Sequence, residues 1–150
     1  MTPHTPTSPI LLAHCSAPCQ ASHHKAVVLP PLLPPQVAIP DADIPTVAVS
    51  LVAGLDPALH IRIGEALAPL RDEGVFIIGS GMSFHNLRTF GSTSALPASK
   101  AFDKWIHDTV GQSKDARNKG LEAWHEAPYA RDCHPQEEHL LPLMGEGRGG

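Results

Sequence analysis

The sequence predicts an α/β fold: a partial parallel-type sheet with flanking helices, preceded by a Pro-rich irregular arm. Three observations lead there. Thr46-Val47-Ala48-Val49-Ser50-Leu51 and Val75-Phe76-Ile77-Ile78-Gly79 are short, continuously apolar or β-branched runs of the kind that form buried strands. A helical pattern lies between them. The first forty residues hold nine of the 16 prolines and one charged side chain, Lys25, so the chain divides into two unlike parts.

The arm is assigned to residues 1–38. Pro30-Pro31 and Pro34-Pro35 forbid a regular helix or a central strand around them, because proline lacks the N–H and fixes φ. No period of 2 or 3.6 runs long enough in this segment to define an element. Irregular chain with polyproline stretches is the expectation.

Residues 39–145 form the folded part. After the first strand, Asp56-Pro57 offers an N-cap with proline at the first helical position. Leu59, Ile63, Ala66, Leu67 and Leu70 follow at helical spacing, and Gly74 supplies a C-cap. Pro69 falls inside this pattern and predicts a kink or a shortened last turn. Strand, helix, strand implies parallel strands joined by a right-handed crossover, with both sheet faces covered. A helix is predicted from Ala98 to about Val110, with Phe102, Trp105, Ile106 and Thr109 on one face. Another runs from about Lys114 to His125, carrying Leu121 and Trp124, and Pro128 ends it. A short helix over 135–143 is predicted to open at Pro135, and residues 146–150 close a Gly-rich tail.

A net charge of -4 gives no electrostatic case for nucleic acid or an anionic membrane. No apolar run approaches the ~20 residues of a membrane helix. No basic segment precedes Ile10-Leu11-Leu12-Ala13, as a secretory signal would require. Three irregularly spaced cysteines make no disulfide framework, so a cytoplasmic setting with reduced thiols is expected.

His85 is the first chemical candidate. It sits in the glycine-flanked turn Gly79-Ser80-Gly81-Met82-Ser83-Phe84-His85-Asn86 after a buried strand, where α/β proteins gather catalytic groups. Its imidazole could move a proton near neutral pH or bind a metal; an exposed turn histidine is the plain alternative. His139, behind Glu137 and Glu138, could be a metal ligand with a carboxylate neighbour, or a surface histidine. His134 precedes it at a His-x4-His spacing, but Pro135 interrupts any shared helical face. Cys15, Cys19, His23 and His24 imitate a zinc cluster without hydrophobic periodicity around them. His60, His107 and His125 fall on predicted helices, with surface or packing roles.

Several segments, taken in order, carry a resemblance. They are Pro40-Asp41-Ala42-Asp43-Ile44-Pro45, then Ala68-Pro69-Leu70-Arg71-Asp72-Glu73-Gly74-Val75 and Gly79-Ser80-Gly81. His85-Asn86-Leu87-Arg88, Phe102-Asp103-Lys104-Trp105 and Ala127-Pro128-Tyr129-Ala130-Arg131 follow. His134-Pro135-Gln136-Glu137-Glu138-His139-Leu140-Leu141-Pro142-Leu143 completes the set. Over residues 39–145 the chain resembles the LigB-type superfamily of class III extradiol ring-cleavage dioxygenases, in its DOPA-dioxygenase branch.

The resemblance implies a non-haem metal enzyme that opens a catechol-type small molecule with O2. Fe(II) is the expected metal, and Zn(II) can occupy related sites. It gives the His85 position an acid/base role close enough to touch the metal, and makes the His139 position a metal ligand. Family members begin with a strand ending in His-Gly and carry a second metal-binding histidine at a later strand end. Ile10-Leu11-Leu12-Ala13-His14 echoes the first faintly, with Cys15-Ser16 where Gly-Ser is expected. The chain therefore reads as the C-terminal part of such a domain, lacking the N-terminal metal-ligand region. Two further readings stay open: a non-catalytic truncated fragment, and an interaction module that docks residues 29–35 in polyproline form.

Overall fold

The structure, a computed structural model, describes residues 10–14 and 46–145. Strands β1 (Ile10–His14), β2 (Thr46–Ser50) and β3 (Phe76–Ser80) form a parallel three-stranded sheet in the order β2-β1-β3. Register is continuous along the sheet. Leu12 pairs with Ala48 on one side and Ile78 on the other, and His14 lies level with Ser50 and Ser80.

This corrects two expectations. The central strand comes from the segment expected to be irregular, so the arm contains at least this one regular element. β2 and β3 are parallel, as anticipated, but they are not neighbours, since β1 lies between them. The physical reason is non-local pairing: four apolar residues and a histidine become a central strand only when two other strands flank them. The rest of the arm expected over residues 1–38, with Cys15, Cys19, His23 and His24, and the Gly-rich tail lie outside the described residues. The expected two-sided cover is also not complete, for Val47 is 58% exposed and Phe76 63%.

Helix α1 (Pro57–Leu67) begins as its sequence dictates. The Asp56 side chain accepts from the Ala58 N–H at 3.1 Å, and Pro57 takes the first turn, where its missing N–H costs nothing. Pro69 converts the end of the helix into a 3-10 turn over Ala68–Arg71. Gly74, at φ 84°, then reverses the chain into β3 in a conformation costly for other residues. The buried face of α1 is His60, Ile61 and Gly64, not the Leu59–Ile63–Leu67 stripe, whose members are half-buried. His60 packs as a structural residue. One ring nitrogen lies 2.7 Å from the Asp56 carbonyl and the other accepts from the Val52 N–H at 3.1 Å.

Helix α2 (Leu96–Val110) buries Phe102 and Thr109, with Trp105 and Ile106 half-buried beside them. Helix α3 (Lys114–Glu122) buries Leu121, and a separate 3-10 turn, Trp124–Glu126, carries the buried Trp124. The helix predicted to reach His125 thus stops short. Helix α4 (Ala130–Cys133) follows Tyr129, which holds φ 58°. The helix expected over 135–143 does not form. Bends at 135–137 and turns at 138–141 take its place, and helix α5 (Pro142–Gly145) opens at Pro142 instead of Pro135. Pro142 has no N–H to continue a helix but fits the start of one.

The core joins α1, α2, α3, α4 and α5. Phe102, Trp124, Cys133, Leu140, Leu141 and Met144 are all at most 3% exposed. α5 packs against α1 and also against β3 and β1, so it connects the helical core to the sheet. No helix among the described residues is long and apolar enough to cross a membrane.

Candidate active site at the carboxyl end of the sheet

The loop that leaves β3 is fastened to α4 and to the segment after it by three hydrogen bonds. The Met82 N–H donates to the His139 carbonyl at 2.9 Å, and the His85 N–H to the Cys133 carbonyl at 2.9 Å. Asn86 Nδ2 donates to the Asp132 carbonyl at 2.8 Å. Gly81 makes the approach possible: a Cβ there would lie 2.5 Å from the His139 carbonyl oxygen, closer than van der Waals radii allow.

The fastening brings His85 and His139 face to face. Their ring centroids are 3.4 Å apart and the planes are tilted by 33°. Both residues are half-buried. A cleft of about 190 Å³ opens beside them, lined by Gly81, Met82, Ser83, Ile106, His139 and Leu143 among others. Its walls are mostly apolar, and His139 is the one imidazole among its described lining residues, which suits a small ring bearing a few polar groups. His14 ends β1 in register with Ser80, so its backbone stands at the same sheet end.

His134 lies behind the pair. It is fully buried, with the Phe102 ring 5.4 Å away and the Trp124 ring edge-on at 6.3 Å. Burial pushes its pKa down, and the nearby His85 and His139 add to this, against smaller opposing effects of the Ser83 backbone and Glu138. Although the Ser83 backbone is near enough to favour the charged ring, no atom stands in hydrogen-bonding geometry to either ring nitrogen. Glu138 Oε2 is likewise buried without a partner. Both were underweighted from sequence, because Pro135 seemed to separate His134 from His139; the His-Pro-x2-Glu-His spacing was the available signal. Arg131 braces the segment, with its guanidinium 4.6 Å from the Trp124 ring centroid and 2.7 Å from Glu137.

Three other sequence candidates, His60, His125 and His107, are not part of this cluster. His60 is structural, and His125 is an exposed residue 4.0 Å from Glu126. His107 sits exposed in the last turn of α2.

A family model described as the catalytic LigB subunit of aromatic ring-opening dioxygenase matches residues 22–145. The chain belongs to the LigB family.

Relatives agree with this. The chain is 37% identical over 126 residues to a 4,5-DOPA dioxygenase extradiol of Portulaca grandiflora, covering 79% of this chain and 44% of that protein. It is 37% identical over 113 residues to the protein of that name from Beta vulgaris, covering 74% and 41%. The Escherichia coli protein of that name is 33% identical over 108 residues, covering 70% and 40%. The chain thus spans less than half the length of these LigB-related proteins. A solved structure of an uncharacterized Escherichia coli K12 protein superposes with a TM-score of 0.72 at 21% identity, covering 97% of this chain and 78% of that one. That likeness establishes a shared fold.

LigB enzymes are in general dependent on a non-haem metal. As two nitrogen donors brought to one point, His85 and His139 fit part of such a ligand set. Among the described residues, no group of three or more His, Cys, Asp or Glu side chains is placed to hold a metal ion. A complete centre would therefore draw ligands from outside the described residues.

Proposed function

We propose that this chain carries the acid/base half of an extradiol ring-cleaving dioxygenase that acts on catechols of the DOPA type with O2. The observation that carries the reading is the contact of the His85 imidazole with that of His139, which lines an apolar cleft. Family membership supplies the reaction class.

In this reading the cleft holds the aromatic ring between Ile106, Met82 and Leu143 and keeps water from it. His85 takes a proton from a catechol hydroxyl and later returns one, a task suited to a group that titrates near neutrality. Its backbone N–H bond to the Cys133 carbonyl, and the bond from the Asn86 side-chain amide to the Asp132 carbonyl, hold the loop in place for that transfer. His139 serves as a metal ligand, and His85 stands close enough to serve as another. Fe(II) is the metal proposed, with Zn(II) as an alternative occupant; bound iron would supply Lewis-acid and redox chemistry toward a catechol and O2.

The test is O2 consumption by the purified, iron-reconstituted chain with DOPA and with unsubstituted catechol. A yellow ring-opened product formed in step with O2 uptake is the expected result. Neither uptake nor colour, with iron bound, would remove the activity from this chain while leaving its family membership intact.

A further inference from the structure

The proposed chemistry leaves His134 unused. Its ring is sealed among Phe102, Trp124 and the His85–His139 pair, and both nitrogens lack partners. A buried donor or acceptor left unmade destabilises the folded chain. Surroundings of this kind would accept a Phe without that cost. The fold can satisfy a buried imidazole fully, as His60 shows with a partner at each nitrogen. Among the described residues, His134 shares this state only with Glu138 Oε2.

The geometry of the pair shows where a partner could come from. With centroids 3.4 Å apart, the rings of His85 and His139 are in van der Waals contact, and no ligand atom fits between them. A ligand that enters between them must part them. The ring that turns needs a polar neighbour on its buried side, and His134 lies close enough to both for their charges to act on it. A neutral imidazole offers one donor and one acceptor, so it can serve either tautomer of the turning ring.

We propose that His134 is a positioning residue: in the ligand-bound state its ring hydrogen-bonds to a ring nitrogen of the His85–His139 pair and fixes that ring's orientation. This rests on the catechol reading above, and the experiment separates the two. The full chain and its variants His134→Phe and His134→Gln are titrated with 4-nitrocatechol without O2, following absorbance, and are melted without the probe.

His134→Phe is expected to melt at or above the parent temperature and to bind the probe about tenfold more weakly, the loss of one such bond. His134→Gln, whose amide also donates and accepts, is expected to recover most of the affinity. In 15N-labelled parent protein, a slowly exchanging imidazole N–H signal, absent from the Gln variant, should emerge when the probe is added. Unchanged affinity in His134→Phe overturns the proposal, as does the absence of that signal. Unfolding of both variants assigns the ring a purely structural role and also overturns it. A parent chain that does not bind the probe defeats the catechol reading, and this inference with it.

Discussion

His85 and His139 stack with their ring centroids 3.4 Å apart, although they come from loops that meet only in the folded chain. The backbone bonds Met82 to His139 and His85 to Cys133 fix that meeting, and neither side chain is needed to fold it. Replacing His85 by Ala is therefore expected to lower ring-opening by about 100-fold or more, the usual contribution of an acid/base group. The half-buried ring contributes little to the core, so the melting temperature should stay near that of the parent. O2 uptake beside a thermal melt checks both parts. A His85→Ala chain as active as its parent would refute the acid/base role.

Gly81 tests how tightly the two loops are pressed together. A methyl group at this position meets the His139 carbonyl at 2.5 Å, and that atom is backbone, so it cannot swing away. Gly81→Ala should destabilise the protein by about 1–3 kcal/mol, the range for overpacking. Gly111→Ala is the control. Its added Cβ would lie no closer than 3.4 Å to any neighbour, and its φ of -79° suits any residue. Urea denaturation of both variants gives the comparison, and equal midpoints would contradict it.

His134 makes stability depend on pH. Burial, with help from His85 and His139, holds its pKa below the ordinary 6.5, so the folded chain binds this proton less readily than the unfolded chain. The stability tied to the neutral ring is fully present above 6.5 and is lost as pH falls from there toward the lowered folded value. The slope from this one group is at most about 1.4 kcal/mol per pH unit. His134→Phe should flatten the fall in melting temperature between neutral and mildly acidic buffer. An unchanged slope would place the pH dependence elsewhere.

Cys133 is expected to be inert in the native protein. It is fully buried, and burial with the nearby Asp132 raises its pKa to about 11, so almost no thiolate forms at neutral pH. Mass spectrometry after brief iodoacetamide treatment should find Cys133 unmodified in buffer and alkylated in concentrated urea. Rapid alkylation in buffer would show that the α4 segment opens readily.

Much of this was legible from residue order, where the cause is local. Asp56-Pro57 starts a helix because a side-chain oxygen and a missing N–H solve the same problem at one helix end. Pro69 ends the α-helical hydrogen bonding, and Phe102 and Thr109 face inward at helical spacing. The short helix placed over 135–143 was misplaced because two prolines each fit a helix start, and sequence alone does not rank them.

By itself, the sequence determined strands β2 and β3, the capped start of α1, and His85 and His139 as candidates. Tertiary structure decided which of these meet. It set Ile10–His14 between β2 and β3, pressed His139 against His85 through backbone bonds, and sealed His134 behind them without a partner. Such contacts join residues far apart along the chain, and their energy exists only after the intervening segments have packed; no local pattern encodes it.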